Sequence, residues 1–331
     1  MSFAMLRRTF VQLPVALAAQ TAALPEYYKQ VAALVWVVDD ADKTATEWER
    51  LGVPVSQPMT MPLKDATFRG KASPTAMKVR SGNFGSTIVH WVQADGQDNA
   101  FADFMKANRG PGMMAMLFAP PGLEAYQAEA ARLKALAPVL MEASFDAGDA
   151  VVRFSMFDTR REGLYSIGLV HPADQWTGEV RADRRITQYA WVTKSPEKVS
   201  AYWEKFGLPA FSYSAVNGRD SIYRGKPGDF DMRLGWQRHG RVAYEWIEPL
   251  KGPSCYHEHL DRNGEGFHHI AFNVQDMDAA IAEWQKDGYE AAMSGAWGEK
   301  DRPGSGRYAY IDTRKAGGLF VELLWNYRRP A

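Results

Sequence analysis

The chain repeats itself, and that repeat constrains the fold more than any single motif. "WERLGVP" starts at Trp48 and "WEKFGLP" at Trp203, an offset of 203 − 48 = 155. "FRGK" at Phe68 answers "YRGK" at Tyr223, and "HWVQ" at His90 answers "EWIE" at Glu245, each again 155 apart. "FDTRREG" from Phe157 answers "IDTRKAG" from Ile311 at an offset of 154. So little slippage reads as a tandem duplication, roughly 28–172 and 184–328. Each half divides again. "ITQYAWV" leads to the helix "SPEKVSAYWEKFG" and to strands closing on "RVAYEWIEPL". After a linker with Gly252, Pro253 and Gly264, the plan recurs as "HHIAFNV", "DMDAAIAEWQKDG", "RYAYIDT" and "GLFVELLW". Helices follow from apolar residues at i, i+3, i+4 and strands from β-branched and aromatic alternation. The expected class is α+β, with four β-α-β-β-β units.

Within this plan "GEGFHHIAFNVQDMDAA" places two of the seven histidines side by side at the mouth of an apolar strand. Strict alternation puts His268, Ile270, Phe272 and Val274 on one greasy face, and His269, Ala271, Asn273 and Gln275 on a smaller, more polar one. Two single acids are equally conspicuous: Glu245 in "RVAYEWIEPL" and Glu322 in "GGLFVELLWN". A buried carboxylate without a partner costs several kcal/mol, so it must be neutral, paired or coordinated. One such acid fits a solvated edge strand; two at matching positions of duplicated units do not fit it well.

Four such units carrying "GEGFHHIAFNV" and "DTRKAGGLFVELL" resemble the vicinal oxygen chelate superfamily, the second half looking like its glyoxalase I and methylmalonyl-CoA epimerase branches. The resemblance implies that each half is a cupped, incomplete barrel, with metal ligands on the first and last strands of its two units. Carried over, the ligands are Gln188, Glu245, His269 and Glu322, with His269 facing the cup and His268 packing outward. It further implies one divalent ion (Zn, Mn, Co, Ni or Fe(II)), borderline to hard as suits one imidazole and three oxygen donors. The implied chemistry is proton abstraction next to a carbonyl through a metal-stabilised enolate, with Glu322 as base and Glu245 as its partner. The duplication supplies a control: the matching positions of the first half are Ala33, His90, Met114 and Gly168. One potential ligand among four makes that half a degenerate copy without a metal site.

Three functional readings stay open: a metal-dependent isomerase, epimerase or lyase; an extradiol-type ring-cleaving dioxygenase; and a metal-free small-molecule-binding protein. Lys+Arg and Asp+Glu are equal at 39 each, so no global field points to nucleic acid, and the partner expected is a small carbonyl-containing substrate. A lone cysteine, Cys255, excludes a disulfide framework and a Cys-based zinc cluster. Nucleotide-binding glycine signatures are absent. Arg302 and Arg307, in a Gly-rich rim segment, and Trp191 and Trp246 are candidate substrate-binding residues. "MLRRTFVQLPVALAAQTAALPE" resembles a twin-arginine export signal over residues 1–23, implying a periplasmic protein, with a cytoplasmic one as the alternative. No later stretch is long and apolar enough for a spanning helix, so an integral membrane protein is not expected, and four units in one chain suit a monomer or homodimer.

Overall fold

The computed structural model describes residues 24–95, 99–176, 178–216 and 218–327; the export-signal-like segment 1–23 lies outside them. The first half supplies every strand of one ten-stranded sheet, between Ala33 and His171, and the second half every strand of another, between Ile186 and Asn326. In the second sheet the order across is 212–215, 231–237, 243–251, 186–192, 266–273, 320–326, 306–311, 291–297, 218–223 and 226–227. The first sheet repeats this order with the matching strands. Both curl into half-barrels, so the chain is an α+β tandem duplication. The hairpin 218–227 precedes the fourth unit in sequence yet pairs with that unit's strand Ala291–Trp297, tying the two units of one cup together.

Two strands, Ile186–Val192 and Gly266–Asn273, run antiparallel down the middle of the second sheet, each flanked outside by a parallel neighbour. Helices follow where local capping and an apolar face coincide. Asp40 accepts from the Lys43 amide at the start of Ala41–Arg50, and Asp276 accepts from the Ala279 amide at the start of Met277–Lys286. Their buried faces present Trp48 and Trp284. The linker expected near Gly252–Gly264 contains a helix instead, Cys255–Asn263, capped by Ser254; its counterpart is Ala100–Asn108, capped by Asn99. These short helices pack on the cup side of each sheet, Cys255 and Tyr256 with Ala190 and Val192 and Phe101 and Phe104 with Val35 and Met114.

The largest core lies between the halves. It joins Trp36, Trp48, Phe84 and Trp91 of the first to Trp191, Trp203, Trp246 and Phe272 of the second. Phe84 stacks with Phe272 at 6.2 Å, and Tyr165 with Trp203 at 4.3 Å. Indole N–H groups find carbonyls across the seam, Trp36 donating to Gly317, Trp48 to Ala316 and Trp203 to Gly163. Gly163 has to be glycine here: a Cβ would lie 2.4 Å from the Trp203 ring. The sheets therefore share one apolar core, and each keeps a separate smaller core on its own cup side.

Candidate metal centre

Four adjacent strands of the second sheet each contribute one polar side chain to the cup. In register, Ala190 lies between Glu245 and His269, and Ala271 between Gln188 and Glu322. Small residues at the two intervening positions leave room for four larger side chains to converge. Gln188 Nε2 lies 2.9 Å from Glu245 Oε2, 3.0 Å from Glu322 Oε2 and 3.4 Å from His269 Nε2. His269 Nε2 is 3.2 Å from Glu322 Oε2 and 3.6 Å from Glu245 Oε2. One ligand atom from each of Glu245, His269 and Glu322 falls within 4.8 Å of the other two, and all three residues are buried. The four residues singled out in the sequence are thus brought together.

The histidine doublet is arranged differently from strict alternation. Ala190 pairs with His269 but Trp191 with Phe267, so His268 is the extra residue of a β-bulge. Phe267 and Ile270 point into the inter-half core, while His268 and His269 both turn to the cup side. The outward placement of His268 is corrected accordingly: a period-two pattern has no means of registering a bulge. His268 stacks on Phe320 and abuts Tyr256 and His259, with its Nδ1 2.8 Å from Nδ1 of His269. With Nε2 of His269 aimed at the carboxylates, its Nδ1–H donates to His268, fixing the tautomer that leaves Nε2 free to ligate. Burial, and then the neighbouring His269 and His259, hold the His268 pKa well below its usual value, which keeps its ring neutral with one nitrogen able to accept.

The first half carries the same bulge, Val35 pairing with Ala115 and Trp36 with Met113. The counterpart of His269 is therefore Ala115, and Met114 matches His268; the sequence equivalence was one residue off. Val35 and Leu117 stand where the second half has Ala190 and Ala271, so apolar side chains occupy the space of the donors. Among the described residues, the Glu245–His269–Glu322 group is the one metal-type cluster found.

The donors open into a cavity of about 640 Å³ that Trp236, Arg238, Asn273, Trp297, Tyr308 and Asn326 also line. Trp191 and Trp246 do not reach it; they stack on each other at 4.3 Å in the inter-half core, on the opposite face from Glu245. Arg307 is bound to Asp278 and Arg302 to Glu299, both outside this cavity. Trp236, Trp297, Arg238, Tyr256, Tyr308 and Tyr310 line the cavity where those four do not. The available signal was register: Tyr310 pairs with Glu322 and Tyr308 with Leu324, which sets both on the cup face.

Electrostatics fit a cation. Burial first, and Glu322 second, raise the Glu245 pKa well above the ordinary carboxylate range. Neither carboxylate has a Lys or Arg among its described hydrogen-bond or ion-pair partners. A divalent ion would supply the missing positive charge, and the donors are of the right type and proximity for one.

Residues 187–310 match the profile of the Glyoxalase/Bleomycin resistance protein/Dioxygenase superfamily. That match lies within the second half of the chain. The chain is 24% identical over 140 residues to 4-hydroxyphenylpyruvate dioxygenase of Danio rerio, covering 42% of this chain and 33% of that protein. It is also 26% identical over 131 residues to the uncharacterized protein YqjC of Bacillus subtilis (strain 168), covering 36% of this chain and 89% of that one. The chain thus spans about a third of the dioxygenase it matches. A variant of 4-hydroxymandelate synthase from Streptomyces coelicolor superposes with a TM-score of 0.59 at 16% identity, over 92% of this chain and 94% of that one. At that identity the likeness shows the fold alone, across both halves.

Proposed function

We propose that the second cup binds one divalent cation and catalyses proton abstraction next to a substrate carbonyl, as an isomerase, epimerase or lyase. The observation that carries this reading is the pair of buried carboxylates, Glu245 and Glu322, gathered with His269 and Gln188 and with no Lys or Arg among their described partners. Glu245, His269 and Glu322 would hold the ion, and Gln188 joins them through its amide oxygen once the amide turns over. When bound, the ion polarises substrate oxygens and stabilises negative charge developing on them. The chain itself supplies the rest. Glu322 takes the α-proton and Glu245 returns one from the opposite face. His268 orients His269. Arg238, at the exposed rim and 5.0 Å over the Trp236 ring, attracts an anionic end of the substrate.

A dioxygenase reading has its own support in the activity named for the Danio rerio relative. Non-haem iron oxygenases rely on two imidazoles and one carboxylate, however, and this cup gathers one imidazole with two carboxylates and an amide. The deciding experiment incubates the metal-loaded protein in deuterium oxide with α-hydroxycarbonyl, thiohemiacetal and acyl-CoA compounds, and separately with catechols while oxygen is monitored. Exchange or isomerisation at the α-carbon without oxygen uptake is the expected result. Oxygen-dependent turnover with no exchange would move the protein to the dioxygenase reading.

A further inference from the structure

The cup of the first half has lost the donor set and still encloses a cavity of about 480 Å³. Met61, Met77, Val79, Phe145 and Phe154 are among its walls. Protein interiors close to crystal-like density, so a purely structural remnant is expected to fill such a space with larger side chains. Ala33, at the position of Gln188, leaves it open. A polar corner interrupts the apolar wall: Ser81 Oγ is 2.8 Å from His90 Nδ1, and Asp174 Oδ2 is 3.5 Å from His90 Nε2. Burial lowers the His90 pKa in spite of Asp174, favouring the neutral ring. With the Ser81 hydroxyl donating to Nδ1, the ring hydrogen sits on Nε2. The 3.5 Å separation is long for a charge-assisted bond, and with Asp174 47% exposed and His90 20% the pair sits at the cavity's edge with room for a third polar group. A hydroxyl group completes both, accepting from Nε2–H and donating to Asp174. A carboxylate in the same place would meet the charge of Asp174.

We propose that the first-half cup is a second small-molecule site, taking a neutral, mostly apolar compound whose phenol or alcohol group seats between His90 and Asp174. Its size and its few convergent polar groups are those of small-molecule pockets generally. None of its residues belongs to the metal centre, so it stands or falls separately from the proposed reaction.

The test is calorimetric titration of the metal-loaded full chain with 2-naphthol, naphthalene and 2-naphthoate, repeated on Ala33→Leu and His90→Ala. Ala33→Leu should abolish a 2-naphthol site present in the wild type while leaving metal content unchanged. His90→Ala should weaken 2-naphthol on the order of fivefold, the scale of one hydrogen bond, and leave naphthalene unchanged. 2-Naphthoate should bind more weakly than 2-naphthol. Should Ala33→Leu fail to fold, the His90→Ala comparison decides alone. Superimposable 2-naphthol titrations for wild type and Ala33→Leu would overturn the proposal, as would equal weakening of 2-naphthol and naphthalene by His90→Ala.

Discussion

At Glu245 the pocket works against the carboxylate unless a cation is present, and this has a consequence for pH. Its folded pKa lies well above the ordinary glutamate value of 4.5, through burial and then through Glu322. The folded protein therefore holds a proton that the unfolded chain releases sooner, and stability present below that ordinary value falls as pH rises through the folded pKa. Metal-stripped protein should lose melting temperature as pH is raised from 5 towards neutrality, on the order of a few degrees or more per kcal/mol lost. Saturating metal should flatten the slope, because the bound ion favours the ionised form. A Glu245→Gln protein that keeps the same slope without metal would assign it to other groups. Glu322 is tested by kinetics. Glu322→Gln preserves size and an oxygen donor but removes basicity, so it should retain substantial metal and lose roughly 100-fold or more in kcat. Near-normal turnover with full metal would place the base elsewhere. His268 acts one step further out: His268→Leu should weaken metal binding about 10–100-fold, and His268→Gln, which restores an acceptor, should recover part of it.

Among the elements, the sheet is where sequence and structure part company. The duplicated phrases located the central strands of each sheet and the four helices against the shared core, because alternation and 3.6-residue spacing report burial directly; the outer strands and the hairpins were not placed. The inward direction of Gln188, Glu245 and Glu322 came from the resemblance to the vicinal oxygen chelate superfamily, and alternation placed His269 on the same side. Three things were hidden. A bulge shifts one residue without changing composition, so His268 and Met114 were misassigned. The helix Cys255–Asn263 is short and polar and sits between Gly252-Pro253 and Gly264, so it read as a linker. Both faces of the central strands are buried, and burial alone does not separate a cup from a seam between halves; that is why Trp191 and Trp246 stood as substrate contacts. The distinction is measurable. Trp246→Ala should destabilise the protein by about 3–5 kcal/mol, the scale for removing a large core aromatic, with KM little changed in whatever protein remains folded. Trp236→Ala, on the half-exposed rim, should raise KM with little effect on the denaturation midpoint. Reversed outcomes would mean that the substrate reaches the seam.

Over the whole molecule, one duplicated scaffold holds two cups with different linings, on either side of a shared aromatic core. Matching strand order shows how little of the fold depends on the donors: replacing Gln188, Glu245, His269 and Glu322 by Ala33, His90, Ala115 and Gly168 leaves the topology intact. The donors are therefore not required by the architecture, and their convergence in one cup is the reason for assigning a metal there. That assignment is the central claim, and elemental analysis of purified wild type, His269→Ala and His90→Ala tests it most directly. The account predicts one equivalent of divalent metal per chain in the wild type and in His90→Ala, and essentially none in His269→Ala. A wild type that takes up no metal, two tightly bound equivalents per chain, or full occupancy in His269→Ala would contradict it.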